Sequence, residues 1–349
     1  MTFANTGGIV KKPNTLEEDN KGEILMKKLI ASLLAAMLLL SLAACQPADS
    51  GKDQNKDEKF VIGICQLATH DALDSATKGF QDAVAEGLGA ENVTFKLKDA
   101  AGEYTNCTTI VDGFVSENVD MILANATSPL QAANAATGEI PILGTSVTDY
   151  ATALNIKEWT GTVGGNISGT TDLAPLDEQA AMILELFPDT KKVGMIYCSA
   201  EPNSVYQVDV VQKELEKKGI TCERFAFNDV NDLASITQDA CDKSDVIYIP
   251  TDNTAANNTE TIANVVIPAK IPVVCGEANT CKGCGVATLS IDYYDLGYAT
   301  GKMAVKILKG EAKISEMPVE AAPEFTKMYN KANCEELGID IPQDYIVIE

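Results

Sequence analysis

The 349-residue sequence holds one histidine and one tryptophan, and aromatic residues make up only 6% of it. The single histidine, His70, has no recognisable nucleophile to work with, and zinc sites that need several imidazoles have none beyond it. So few rings also argue against a sugar site built on aromatic stacking. Basic residues are scarce as well: 27 Lys and Arg stand against 50 Asp and Glu, a formal charge of −23, with no basic cluster outside the N-terminal stretch. Such a field repels phosphate backbones and excludes nucleic acid as a partner. No phosphate loop, dinucleotide fingerprint or metal motif occurs, so no cofactor, metal or enzymatic activity is expected. The chain is otherwise of ordinary globular composition, 46% hydrophobic and 22% charged, and long enough for two domains with separate cores.

The N-terminal region is a different kind of sequence. Met26-Lys27-Lys28 is a positive start, and Leu29 to Leu42 is an apolar run too short to span a bilayer comfortably. It ends in Leu42-Ala43-Ala44-Cys45, which resembles the lipobox of bacterial lipoproteins. The expected organisation is therefore residues 1–25 upstream of a natural start at Met26, an export signal over 26–44, a lipid (palmitate-bearing) anchor on Cys45 that ties the protein to the cell membrane, and a polar tether over 45–59.

Ten cysteines leave nine after lipidation, an odd number, so at least one thiol is free or intermolecular in an oxidising compartment. Cys281-Lys282-Gly283-Cys284, with Cys275, admits a loop disulfide, buried thiols, or zinc or redox chemistry; a zinc site lacks a fourth ligand.

From Phe60 onward, short β-branched runs (FVIGICQL, VTFKLKDA, VDMILANA, IPILGTSV, then KKVGMIYC, TCERFAFN, DVIYIPT, IPVVCGE, GVATLSI) alternate with segments of helical period. Near-continuous apolar strands are buried on both faces, which predicts parallel sheets covered by helices. Leu73, Phe80, Val84 and Leu88 form one helical stripe, and Val205, Val208, Val211 and Leu215 another. Two such series, separated by the Gly- and Thr-rich stretch 161–171, predict an α/β protein of two doubly wound lobes. The hinge is expected to include that stretch, because small loop residues absorb backbone rotation. A later helix, Tyr294 to Lys309, ends at Gly310.

In open parallel sheets, ligands bind beyond the carboxyl ends of the strands, where helix N-termini present free N–H groups. The loops there carry Thr127 and Ser128; Ser146, Val147, Thr148 and Asp149; Glu201, Asn203 and Ser204; and Asp252 and Asn253. Each residue alone reads as a helix cap at least as well as a ligand contact. As a set, first-lobe hydroxyls and N–H groups suit a carboxylate, while Glu201, Asn203, Asp252 and Glu277 suit an ammonium. Together they describe a site for a zwitterion. Tyr104, Tyr206, Tyr293 and Tyr294 are candidates for a pocket wall or for ordinary packing, and His70 for a cap, a supporting donor or a ligand contact.

Several of these stretches, QLATHDALDSATKGF over 66–80, Val147-Thr148-Asp149, Asn166-Ile167-Ser168-Gly169 with Asp172, Glu201-Pro202-Asn203-Ser204, Pro250-Thr251-Asp252-Asn253 and Asp292-Tyr293-Tyr294-Asp295-Leu296-Gly297, resemble the ABC transporter substrate-binding family that includes tryptophan- and tyrosine-binding lipoproteins. The resemblance implies a type I periplasmic-binding-protein fold with a three-segment hinge. Its first lobe would be 60–166 with 293–316, the latter helix returning to that lobe, and its second lobe 167–292 with 317–349. It further implies a monomer that encloses a small ligand, an aromatic amino acid in first place, and passes it to an ABC permease. It adds Gln66, His70, Leu73, Asp74, Thr171 and Asp172 to the expected site and makes Asp252 the expected partner of the ammonium. Where the family has VTDP and NVTG, this chain has Tyr150 and Ser168, and Tyr150 is expected to reshape the pocket rim. A sugar or nucleoside receptor of the same fold, and a surface adhesin or sensor, are the competing functions.

Overall fold

The computed structural model describes residues 59–322 and 324–348. The expected signal peptide, Cys45 and the tether up to residue 58 lie outside the described residues. Among those described, no helix is long and apolar enough to cross a membrane.

The chain runs β1 (Phe60–Gln66), α1 (Asp71–Leu88), β2 (Val93–Asp99), α2 (Tyr104–Ser116), β3 (Met121–Asn125), α3 (Thr127–Ala136), β4 (Ile142–Val147), α4 (Tyr150–Ala153) and β5 (Ile167–Thr171). It continues through α5 (Leu176–Leu186), β6 (Lys192–Cys198), α6 (Pro202–Lys217), β7 (Thr221–Phe227), α7 (Leu233–Lys243), β8 (Val246–Ile249), α8 (Asn253–Ala256) and α9 (Thr259–Ala269). Then come β9 (Val273–Cys275), α10 (Ala278–Cys284), β10 (Ala287–Ser290), α11 (Tyr293–Leu308), β11 (Glu320–Ala321), β12 (Thr326–Tyr329), α12 (Lys331–Leu337) and β13 (Ile346–Val347). All nine strands expected from the apolar runs form; seven are buried on both faces under the helices, whereas β2 and β7, at the sheet edges, are mostly exposed.

The strands make two sheets, one ordered β11-β5-β4-β3-β1-β2 and wholly parallel, the other β13-β12-β10-β9-β8-β6-β7 with a single antiparallel pair, β10 with β12. Each sheet reverses its winding at one point, between β1 and β3 in the first and between β6 and β8 in the second. Those points are where crevices open at the carboxyl ends of the strands.

Strand β5 pairs with β4, so residues 167–171 belong to the first sheet. This corrects the boundary expected at 166/167: the stretch 161–171 runs within the first lobe, and the chain crosses only after Thr171, before α5 begins at Leu176. Likewise β11 pairs with β5, which moves the boundary expected at 316/317 beyond Ala321. The reason is that Ser168 and Thr170 are buried inside the lobe and bonded there, Ser168 Oγ to the Met317 carbonyl and Thr170 Oγ1 to Thr300, so a polar strand passes for a loop in sequence. The second crossing follows β10 at Ile291–Asp292, and the third follows β11. Ile291, Tyr293 and Ala322 from the later crossings pack with Ala72, Ala76 and Leu296 in one small cluster.

Helix α11 returns to the first lobe and lies against α1. Gly297 makes this crossing possible, since a Cβ there would stand 1.9 Å from the Ala76 carbonyl oxygen. Tyr294 and Tyr298 bind Asp82 and Glu86 on the outside of the same crossing.

Candidate functional site

A narrow cleft lies between the carboxyl ends of the two sheets, the place where ligands of open parallel sheets bind. First-lobe lining comes from His70, Ala72 and Leu73 after β1 and from Ser146 and Thr148 at the end of β4; Asp172 and Tyr293 line it from the first two crossings. Second-lobe lining comes from Asn203 after β6, from Thr251, Asp252, Asn253 and Ala256 after β8, and from Glu277 after β9. The winding reversals account for the loops after β1, β6 and β8, which flank the two crevices, and the loops after β4 and β9 extend the lining by one strand on each side.

Nine expected site residues therefore meet in one place: His70, Leu73, Ser146, Thr148, Asp172, Asn203, Asp252, Asn253 and Glu277. The others support it from behind or lie elsewhere. Gln66 is buried and ties Asp74 and Thr77 to the β1–α1 turn, and Asp74 itself is exposed. Thr171 donates to the Thr148 carbonyl, and Asp149 caps α4 at Thr152. Val147 and Thr127 are buried in the first lobe, and Ser128 is half-buried outside the lining. Glu201 and Ser204 are buried just behind Asn203, where Glu201 accepts from Asn253 and Thr254.

Tyr150 does not shape the rim. It is 1% exposed and turns into the first lobe, donating to the Thr170 carbonyl beneath the close pair Gly144 and Gly169. Of the four tyrosines considered, Tyr293 lines the cleft, whereas Tyr104 and Tyr294 are exposed and Tyr206 is half-buried. Ala72, Thr251 and Ala256 are lining residues missed in sequence; Thr251 was signalled by its neighbours Asp252 and Asn253, and the alanines by nothing. Cys275, Cys281 and Cys284 are buried thiols in the second-lobe core.

Four carboxylates, Asp172, Glu201, Asp252 and Glu277, are buried in or against the cleft, and none takes part in an ion pair among the described residues. No Lys or Arg is in the lining. Buried negative charge without a cation is costly and shows in the titration of Asp172 and Asp252. Burial, with the nearby Glu277, pushes Asp172 up to about 6 against the hydroxyls of Tyr293 and Thr148. Burial and Glu201 push Asp252 up to about 7.

The acids differ in what their oxygens already hold. Asp252 Oδ1 caps Ala255 N–H at 2.8 Å, and Oδ2 accepts from the Cys198 N–H at 2.7 Å. Glu277 likewise caps α10 at Thr280 and Asn279. Asp172 is the exception: Tyr293 donates to Oδ2 at 2.9 Å, but Oδ1 is buried with no partner. Across the cleft floor, Ser146 also has a buried, unpartnered hydroxyl. A register shift between Gly144 and Val147 puts Ser146 at φ +53°, a left-handed conformation that L-residues seldom hold, and such strain concentrates at binding sites. Beside it, the first turn of α1 has no side-chain cap on its N–H groups.

A sequence profile described as ABC transporter substrate binding protein matches residues 61–348. The tyrosine-binding protein of Clostridioides difficile (strain R20291) is 31% identical over 314 residues, covering 87% of this chain and 90% of that one. Among solved structures, an ABC domain in complex with L-Trp from Streptococcus pneumonia is 34% identical, covers 82% of this chain and 96% of its own, and superposes with a TM-score of 0.78. A ligand-free, open substrate-binding protein with adhesive properties from Clostridium difficile is 32% identical, with 83% and 99% coverage and a TM-score of 0.65.

Proposed function

The chain belongs to the family of ABC transporter substrate-binding proteins, and from that premise we propose that it binds a zwitterionic aromatic amino acid between its lobes and delivers it to an ABC permease. Proteins of this family work outside the cytoplasm as binding proteins, not enzymes, and the fold is that of type I periplasmic binding proteins. The observation that carries the reading is the pair of unpartnered buried oxygens, Asp172 Oδ1 and Ser146 Oγ, inside a cleft with an excess of buried carboxylates and no cation of its own.

The ligand's ammonium belongs at Asp172. It is the acid with a vacant oxygen, and Asp252 and Glu277 add to the negative potential around it while their own oxygens stay with the lobe's N–H groups. The ligand's carboxylate belongs with Ser146, Thr148 and the uncapped first turn of α1, whose dipole favours an anion. Ala72, Leu73, Ala256 and Tyr293 give the remaining wall the apolar character that a ring requires. An uncharged sugar or nucleoside would leave the acids without a cation, so the acidic cleft favours the amino acid.

Calorimetric titration of the purified protein with the twenty amino acids and common sugars tests the assignment. Aromatic amino acids are expected to bind, and a ligand at a hundredfold excess over its dissociation constant should stabilise the fold by about 2.7 kcal/mol. Binding of a sugar but no amino acid would refute it.

Anchoring by a lipid on Cys45 belongs to the same proposal, supported by the basic start, apolar run and Leu-Ala-Ala-Cys of the sequence. Cys45→Ala is expected to shift the protein from the detergent phase to the aqueous phase; unchanged partitioning would rule the anchor out.

A further inference from the structure

Six buried polar side-chain atoms among the described residues have no hydrogen-bond partner, and three of them belong to residues of the cleft: Ser146 Oγ, Asp172 Oδ1 and His70 Nδ1. The first two are matched above to the carboxylate and ammonium that every amino acid carries. The third matches nothing common to all amino acids.

The state of this nitrogen follows from its neighbours. The Glu201 carboxylate accepts from the backbone N–H of Asn253 at 3.0 Å on one oxygen and of Thr254 at 2.8 Å on the other. Both oxygens are therefore acceptors, and the end of the Asn253 amide lying 2.7 Å from Glu201 Oε2 has to be its NH2. That turns Asn253 Oδ1 toward His70 Nε2, 3.3 Å away across the cleft. An amide oxygen only accepts, so Nε2 carries the hydrogen. In a neutral imidazole this leaves Nδ1 as a bare acceptor, fixed by Glu201 and Asn253. His70 also occupies the N-cap position of α1 without capping it, so the ring is committed to the cleft instead.

We propose that His70 is a specificity-determining residue whose Nδ1 accepts a hydrogen bond from a donor on the ligand's ring, the phenol O–H of tyrosine or the indole N–H of tryptophan, and so selects these over phenylalanine. The inference rests on the aromatic amino-acid reading above. The ammonium is not the donor in question, because a carboxylate with a vacant oxygen is the stronger partner for it. Phenylalanine would leave Nδ1 buried and unpaired, and a site built around a polar partner rejects the analogue that lacks one.

The experiment is calorimetry of the wild type and His70→Leu with tyrosine, tryptophan and phenylalanine, joined by nitrogen-15 NMR of the wild type. The wild type is expected to favour at least one ring-donor ligand over phenylalanine by about tenfold or more. His70→Leu should bring that ratio to near unity. Loss of the His70–Asn253 contact weakens closure on all three ligands alike, so the ratio reads the ring contact alone. The sole histidine of the chain gives one imidazole signal pair, expected in the Nε2–H tautomer without ligand and shifted at Nδ1 by the preferred ligand but not by phenylalanine. This second readout stands even if the variant fails to fold. An unchanged ratio in the variant, a wild type indifferent to the ring donor, or an Nδ1–H tautomer overturns the inference while leaving the amino-acid reading in place. Failure of all three ligands to bind folded wild type overturns both.

Discussion

Asp172→Asn is expected to weaken binding of the preferred amino acid by about 2 to 5 kcal/mol, or roughly 30- to several thousand-fold, while the protein stays folded. The variant can keep its oxygen toward the Tyr293 hydroxyl, which preserves the hydrogen bond between the first two crossings. Its NH2 group then occupies the position of the vacant Oδ1 and presents donors to an ammonium that needs an acceptor. Calorimetry on the folded variant reads the loss, and affinity within threefold of wild type would show that the ammonium lies elsewhere.

The same carboxyl sets a pH dependence. Burial raises Asp172 in the folded, ligand-free protein to about 6, so from the ordinary carboxylate range up to about pH 6 the folded state holds a proton that the unfolded chain has released. The contribution of this group to stability is full at low pH and is lost as pH rises through about 6. Ligand affinity moves the opposite way, since the ammonium binds the ionised form. It should be about tenfold weaker at pH 5 than at pH 7, with protons released on binding near pH 6, and the dependence should flatten in Asp172→Asn.

Asp252→Asn is expected to act on the fold first, although the sequence resemblance makes Asp252 the ammonium partner. An amide has one oxygen, whereas Asp252 accepts from both the Cys198 and Ala255 N–H groups at 1% exposure. One of those N–H groups would face the NH2 of the variant, a buried clash of donors worth about 2 to 4 kcal/mol of stability. Denaturant unfolding should show that loss, and affinity measured well below the unfolding midpoint should fall by no more than about tenfold. A stable variant that no longer binds would return the clamp to Asp252.

The contrast between these two aspartates marks where the sequence stops being legible. Both follow strands in polar loops, and Asp252 carries the stronger local signal, an acid opening a helix after an apolar strand. That signal is the cap itself. The donor that occupies its second oxygen comes from Cys198, 54 residues away on the neighbouring strand, and no spacing in the sequence reveals it. His70 is the same case in reverse: it stands where a cap belongs and does not cap, because its partner Asn253 is 183 residues away in the other lobe.

What the sequence by itself determined was everything governed by neighbours along the chain. Nine apolar strands, the amphipathic helices between them, the α/β class and the set of loops that hold the site all follow from periodicity and burial, which are local in register even when their result is global. The resemblance to the substrate-binding family rests on the same local stretches. The tertiary structure alone decided which sheet takes the polar strand 167–171, where the chain crosses between lobes, and which buried carboxylate keeps a free oxygen for a ligand. Those outcomes depend on hydrogen-bond partners far apart in sequence. A polar atom is a structural anchor or a binding group according to whether the fold brings it a partner, and that is settled only when the strands are side by side.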